Sequence, residues 1–327
     1  MKKIFRDGLF FCAGLLVIHF ALGFIFNNVI LSQTGLAKKD KNLRLHNHLV
    51  DTLVLGDSHS LNNIAPTLLS DSTFNLAVGG LSYMQTYYRL KHYLENEDNG
   101  SLQVIILPYD LHSFSSNRAN NIVERPYYWK KYIDYVEYGL QTNTLLRAIQ
   151  IRIVGEIPYL SGFTDTVRFL KANYQRQVNE DILSSIRGDF SKSKNPEAQA
   201  AARAKEHFGG HDVLDSTAIY YFDRIMSIAT TANLQVVLIK HPVSHEYYVA
   251  ASRFVNTGEF YDRLATLTTS KYDVIVLDHQ KTYFDQNDLF VNSDHLNVEG
   301  RRRFTYTIRD ELSNKLGLFI DRWSIGY

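Results

Sequence analysis

Apolar positions in this chain fall into two patterns. From Leu9 to Phe26 they form one almost unbroken run, interrupted by His19. From Thr52 onward they come as short runs of aliphatic residues, separated by stretches whose apolar residues recur at helical spacing. The long run matches a bilayer core at about 1.5 Å per residue and exceeds the roughly 7 to 15 apolar residues of a cleaved signal. With the basic head Met1-Lys2-Lys3-Ile4-Phe5-Arg6 before it, residues 1–31 are predicted to be one uncleaved N-terminal transmembrane helix. The short runs predict strands at Thr52–Leu55, Thr73–Leu76, Gln103–Leu107, Leu234–Ile239 and Val274–Leu277, with helices between them at Ser60–Leu69 and Tyr83–Glu95. Such alternation gives an α/β fold, a mainly parallel sheet of about five strands with helices on both faces. Ligands of such sheets bind at the carboxyl ends of the strands, where Ser58, Gly80, Asp110, His241 and the His295 loop fall.

Two stretches stand outside the alternation. Residues 32–50 are polar and read as a connector, which if extended reaches several tens of ångströms at about 3.3 Å per residue. Residues 111–216 are predicted to be a helical insertion or lid within a body spanning 51–327. It contains Arg125-Pro126-Tyr127-Tyr128-Trp129-Lys130-Lys131-Tyr132 and closes with the polar run Ser191 to Lys205. Those aromatic and basic residues either stack on sugar rings or pack the insertion. Ala198 to Ala204 reads as an exposed helix.

Composition adds boundaries. With 327 residues, 45% of them hydrophobic, and a net charge of +1, the chain can bury a large core and has no electrostatic case for nucleic acid. The single cysteine, Cys12, lies in the apolar run, so the body carries no disulfide. Lys38, Lys39, Lys41 and Arg44 compete with the basic head in setting orientation.

Candidate chemistry begins at Leu53-Val54-Leu55-Gly56-Asp57-Ser58-His59-Ser60, an apolar strand that stops at a glycine and delivers a serine. A tight turn there lifts a nucleophilic hydroxyl clear of the sheet. Far downstream, Asn292-Ser293-Asp294-His295-Leu296-Asn297 places a histidine in a polar loop before a helix. Together with Asn75-Leu76-Ala77-Val78-Gly79-Gly80, these segments resemble the SGNH (GDSL-like) hydrolase and acyltransferase superfamily. The resemblance covers about residues 50 to 315 in order. It implies a flavodoxin-like three-layer sandwich, Ser58 as nucleophile and His295 as general base. It also implies an oxyanion hole from the backbone N–H groups of Ser58 and Gly80, with Gly79 as the alternative.

The pattern departs from the family in two places. The position of the acid, three residues before His295, holds Asn292, and the asparagine of the third block is missing from Leu107-Pro108-Tyr109-Asp110. An amide oxygen can still accept the imidazole N–H. Asp294 is the alternative acid, although neighbours in an extended loop point apart, and Asp285 and Asp288 stand further off. Tyr109 or His112 is the candidate for the missing donor, and Asp57, His59, Asp110 and His241 are candidate pocket residues. These departures make the chain similar to the membrane-anchored proteins of teichoic acid D-alanylation and alginate O-acetylation. The resemblance then implies an esterase or O-acyltransferase acting on an envelope or exported polysaccharide. It further implies an extracytoplasmic body on the cytoplasmic (inner) membrane, a multispanning membrane acyl-transfer partner, and no cofactor or metal. Two rivals remain: a non-catalytic envelope protein binding glycan or a membrane partner, and a metal-dependent phosphoesterase suggested by Gly56-Asp57-Ser58-His59 and twelve histidines.

Overall fold

The computed structural model describes residues 2–97, 100–119, 126–162, 167 and 188–317. The chain divides into two compact units, residues 1–42 with 122–178 and residues 43–121 with 179–327.

The larger unit is built on five strands, β1 (Thr52–Val54), β2 (Thr73–Asn75), β3 (Val104–Pro108), β4 (Gln235–Lys240) and β5 (Val274–Asp278). All pair in parallel, in the order β2-β1-β3-β4-β5. This is the flavodoxin-like order, and it reverses between β1 and β3, where a crevice opens at the strand ends. The three central strands β1, β3 and β4 are covered on both faces, and their Leu53, Val54, Ile105, Ile106, Val237 and Leu238 are wholly buried; the edge strands β2 and β5 are partly open. Val54, Ile106, Val237 and Ile239 pack with Phe304, Ile308 and Leu312 of the Val298–Leu316 helix. By alternation, Leu53, Ile105 and Leu238 point to the other face. There the helices Tyr83–Asn96 and Ser216–Thr231 pack, with Tyr83 edge-on to Phe222 at 5.1 Å. The result is the three-layer α/β architecture expected from the sequence.

Local chemistry moves several boundaries. The helix expected over Ser60–Leu69 is two helices, Ser58–Asn63 and Pro66–Leu69, because Pro66 holds Ala65 extended. The first begins earlier than expected, with Asp57 as its cap, which puts Ser58 in its opening turn. The loop expected around His295 is a short antiparallel pair, β6 (Phe290–Asn292) and β7 (His295–Leu296). The alanine-rich stretch lies in the helix Pro196–Phe208, and it is not simply exposed: Ala200 and Ala204 are fully buried.

The smaller unit joins the N-terminal helix Lys2–Ile25 to helices Pro126–Trp129, Tyr135–Gln141, Leu145–Gly155 and Pro158–Ser161. Most of the connector is the helix Gly35–His46 and not an extended spacer. Its Asp40 is buried and accepts hydrogen bonds from Tyr128 Oη at 2.7 Å, Lys131 Nζ at 3.0 Å and Tyr132 Oη at 2.5 Å. Tyr127, Tyr128 and Trp129 are likewise buried, so the aromatic and basic stretch packs this unit. Arg125 lies outside the described residues, as do insertion residues 120–124, 163–166 and 168–187. Among the described residues, the one helix long and apolar enough to cross a membrane runs over Lys3–Gln33, and its most apolar stretch is almost entirely exposed; some signal sequences are also long and apolar enough to meet that requirement.

Gly56, the hinge between β1 and the serine, has φ +106°, and a Cβ there would lie 2.4 Å from the Pro108 ring. Gly56→Ala is therefore expected to destabilise the fold by about 2–4 kcal/mol, through positive-φ strain plus overpacking. Urea unfolding of the variant beside the parent measures the difference.

Candidate functional site

The turn after β1 is pinned from both sides. Leu55 N donates to Ile106 O of β3, and Val78 N donates to Gly56 O, which draws the Val78-Gly79-Gly80 turn beneath the serine. Gly79 is close enough that a Cβ on it would lie 3.8 Å from Ser58 Cβ. The turn's own hydrogen bonds use Val78 N and Leu81 N. The Asp57 cap accepts from His59 N and not from Ser58 N. The amides of Ser58, Gly79 and Gly80 serve none of these bonds, and Gly79 is the one that the packing sets against the serine.

Ser58, half-buried, has its Oγ 2.9 Å from His295 Nε2. The other ring nitrogen, Nδ1, lies 3.1 Å from Asn292 Oδ1 and 3.4 Å from Asp294 Oδ1. Two side chains 237 positions apart are thus brought to hydrogen-bond distance. Asn292 is exposed, and its Oδ1 also accepts from the backbone N–H of Asp294 and of His295, at 3.1 and 2.9 Å. This side-chain turn overrides the extended loop expected from the sequence. It is why Asp294 lies under the ring next to it instead of pointing away. Asp285 and Asp288 are exposed.

Beneath this dyad lies a buried network of histidines and carboxylates. Asp110, at the end of β3, accepts from His59 Nδ1 and His241 Nδ1 at 2.9 Å each, and from His241 N at 2.7 Å. His59 Nε2 lies 3.5 Å from Asp294 Oδ2, at ion-pair range. Asp294 also accepts from Arg203 Nε at 2.9 Å, across from the Pro196–Phe208 helix. On the far side, Asp57 accepts from His112 Nε2 at 2.9 Å and Ser113 Oγ at 3.1 Å. His207 stacks on His112 with ring centroids 4.8 Å apart, and its Nδ1 meets Tyr247 Oη at 2.6 Å.

The charges in this network alternate. Burial opposes a charge on His59, yet the Asp110 carboxylate, with Asp294 and Asp57 behind it, raises its pKa to about 10. His112, 4.3 Å away ring to ring, goes the opposite way, to about 4, because burial and the charge on His59 both disfavour protonation. Burial pushes the Asp294 carboxyl up, but His295, His59 and Arg203 more than offset it and hold the group well below the usual carboxylate range. Asp57 and Asp110 are held down in the same sense, by His112 and by His241 with His59, against their own burial. His59 is therefore a buried cation shared by carboxylates, and its neighbour His112 is neutral.

Among the described residues, two trios place metal-ligand atoms within 4.8 Å of one another: His59, Asp110 and His241, and His59, Asp294 and His295. In the first, both imidazole Nδ1 atoms face the same carboxylate oxygen at 2.9 Å. That is the geometry of two N–H donors on one acceptor, which a cation would have to displace.

The structure thus brings Ser58, His295, Asn292, Asp294 and Gly79 together, with Gly80 next in the same turn, and places Asp57, His59, Asp110, His112 and His241 below them. Tyr109 does not fit as the missing oxyanion donor: it is a core residue, its ring packed against Phe114, Phe222 and Tyr261. His112 has its Nε2 committed to Asp57. Sequence reasoning missed Arg203, His207, Ser113 and Tyr247. Arg203 and His207 sit on a helix whose sequence reads as ordinary surface, and nothing short of its tertiary contacts marks them.

No protein-family model and no curated protein matches the chain. Among solved structures it is similar to a protein provisionally called a platelet activating factor from Streptococcus pneumonia, at 12% identity and TM-score 0.40, over 88% of this chain and 96% of that one. A likeness that distant carries no weight for the chemistry, which rests on the geometry above.

His59, raised from its ordinary 6.5 to about 10, contributes stability that is fully present below pH 6.5 and fades as pH rises toward 10. His112, lowered from 6.5 to about 4, works at the other end, and its contribution fades as pH falls from 6.5 toward 4. The expected melting-temperature profile declines on both sides of near-neutral pH. His59→Gln, which strands buried carboxylates, should lower stability by about 3–5 kcal/mol and flatten the alkaline limb. Calorimetry from pH 5 to 10 measures both.

Proposed function

We propose that this protein is a serine esterase or O-acyltransferase of the SGNH type, working through an acyl-serine intermediate. The observation that carries the reading is the 2.9 Å contact between Ser58 Oγ and His295 Nε2, with the second ring nitrogen facing Asn292 and Asp294. In the reaction, Ser58 Oγ attacks an ester carbonyl while His295 Nε2 takes its proton, and the same nitrogen then protonates the departing alcohol. The backbone N–H groups of Ser58 and of Gly80 or Gly79 meet the developing oxyanion. Water or a sugar hydroxyl, deprotonated by His295, discharges the acyl group.

The two neighbours of His295 divide the role one carboxylate fills elsewhere. Asn292 Oδ1 fixes the ring tautomer, while Asp294 supplies the negative charge that stabilises the imidazolium. Its ionised state is secured by Arg203 and His59. An acid position occupied by amide is therefore compatible with catalysis.

The finer reading concerns where this happens. The exposed apolar helix is read as an uncleaved anchor, since packing inside the smaller unit uses its residues His19 and Phe26; the resemblance, and not this packing, is the ground for placing it in the cytoplasmic membrane with the larger unit on the extracytoplasmic side. Tethering raises effective concentration near membrane-bound partners. The substrate class that suits such a body is an acylated envelope or exported polysaccharide, with a multispanning membrane protein supplying or receiving acyl groups.

Fluorophosphonate labelling tests the chemistry. The full chain is expected to label, and Ser58→Ala and His295→Ala are expected to abolish labelling while keeping the fold; a folded parent that does not label overturns the reading. Asp294→Asn, which removes the charge behind the imidazolium, should reduce ester turnover by about 10²–10⁴-fold, the range over which a positioned general base contributes. Asn292→Ala, which leaves that charge in place, should reduce it far less. Turnover of an acyl ester by the variants, beside their melting temperatures, separates the two residues.

A further inference from the structure

The helix Leu145–Gly155 carries more apolar surface than its packing uses. Ala148, Ile151 and Gly155 face inward, whereas Leu146, Ile149 and Ile153 form a second stripe at spacings of three and four that is open to solvent. Leu146 is 79% exposed. The preceding helix, Tyr135–Gln141, repeats this with Val136 and Leu140, four apart and 55% and 62% exposed. A helix apolar on two sides has one side that neither water nor the protein core satisfies.

What covers that side is indicated by the N-terminal helix in the same unit. Tyr159, in the Pro158–Ser161 turn just beyond Gly155, meets His19 Nδ1 with its hydroxyl at 3.0 Å, ring edge to ring at 5.8 Å. Phe26 is buried edge-on to Tyr127 at 5.1 Å, and a Cβ on Gly162 would overlap its ring. His19 precedes Phe26 by seven residues, so about 10 Å of helix separates the two contacts. The turn therefore grips the N-terminal helix inside its apolar run. This also gives His19, the one polar interruption of that run, a partner where lipid would leave it unsatisfied.

We propose that the helices Tyr135–Gln141 and Leu145–Gly155 form an interfacial membrane foot whose ligand is a phospholipid bilayer surface. This rests on the anchor reading. Once the N-terminal helix is in a bilayer, a turn fixed to it at His19 brings the attached helices to the boundary between acyl chains and headgroups. Amphipathic helices ride there, about 5–10 Å deep. Leu140, Leu146, Ile149 and Ile153 enter the acyl region. Arg147, exposed on the same helix, suits phosphate headgroups, while Arg152 pairs with Glu156 at 3.1 Å.

The test uses the full chain in phosphatidylcholine–phosphatidylglycerol vesicles, with single nitroxide labels read by collision with oxygen, which concentrates in lipid, and with a water-soluble nickel chelate. Native Cys12, exposed on the N-terminal helix, reports the anchor. Leu146→Cys and Ile153→Cys in a Cys12→Ala background report the foot, at positions whose exposure leaves the fold undisturbed. Oxygen collisions exceeding nickel collisions at all three sites is the expected result. A lipid-exposed Cys12 with nickel-exposed 146 and 153 overturns the foot and leaves the anchor standing. Nickel exposure at Cys12 overturns the anchor reading, and the foot with it.

Discussion

The larger unit depends on one buried carboxylate. Asp110 takes hydrogen bonds from imidazoles that follow β1 and β4, and one from the backbone of His241, so the ends of three strands are tied to a single side chain. An isolated carboxylate at that depth would neutralise. This one stays ionised because it is surrounded by donors and by the charge on His59. The arrangement also propagates. A cationic His59 keeps His112 neutral, reaches Asp294 at ion-pair range and so helps hold a negative charge beneath His295.

The consequence is a site whose working atoms are few and whose supporting shell is extensive. Ser58 and His295 meet through one hydrogen bond, but each is held in place by several further groups. Asp57 caps the serine's helix and takes His112 and Ser113, and Asn292 folds the turn that carries both Asp294 and His295. Preorganisation of this kind lets a hydroxyl and an imidazole remain aligned while charge shifts between them. The smaller unit shows the same economy in Asp40, whose buried oxygen gathers Tyr128, Lys131 and Tyr132.

Much of the fold could be read from periodicity. Apolar runs bounded by polar turns marked all five strands to within a residue or so; in the central β1, β3 and β4 this is because a strand buried on both faces has nowhere to place a charged side chain. The serine was legible as well, since a glycine at the end of such a run is needed wherever the chain must take positive φ against a neighbouring strand, here against Pro108. Less legible were the elements set by single polar contacts. The break at Pro66 and the early start at Ser58 depend on local capping, and the pair β6–β7 depends on an asparagine side chain that competes with an extended backbone.

By itself, then, the sequence determined the sheet, the position of its crevice, the apolar N-terminal helix and the turn that carries Ser58, because these follow from local periodicity and turn chemistry, whereas the pairing of Ser58 with His295 was implied by the family resemblance. Tertiary structure alone decided which groups support them. Whether Asp294 points toward or away from His295, whether Tyr109 faces the crevice or the core, and whether Arg203 is surface or site are all questions of packing between segments far apart in the chain. The state of each histidine belongs to the same class. His59 and His112 are chemically identical in the sequence, and only the carboxylates and charges that folding gathers around them make one a cation and the other neutral.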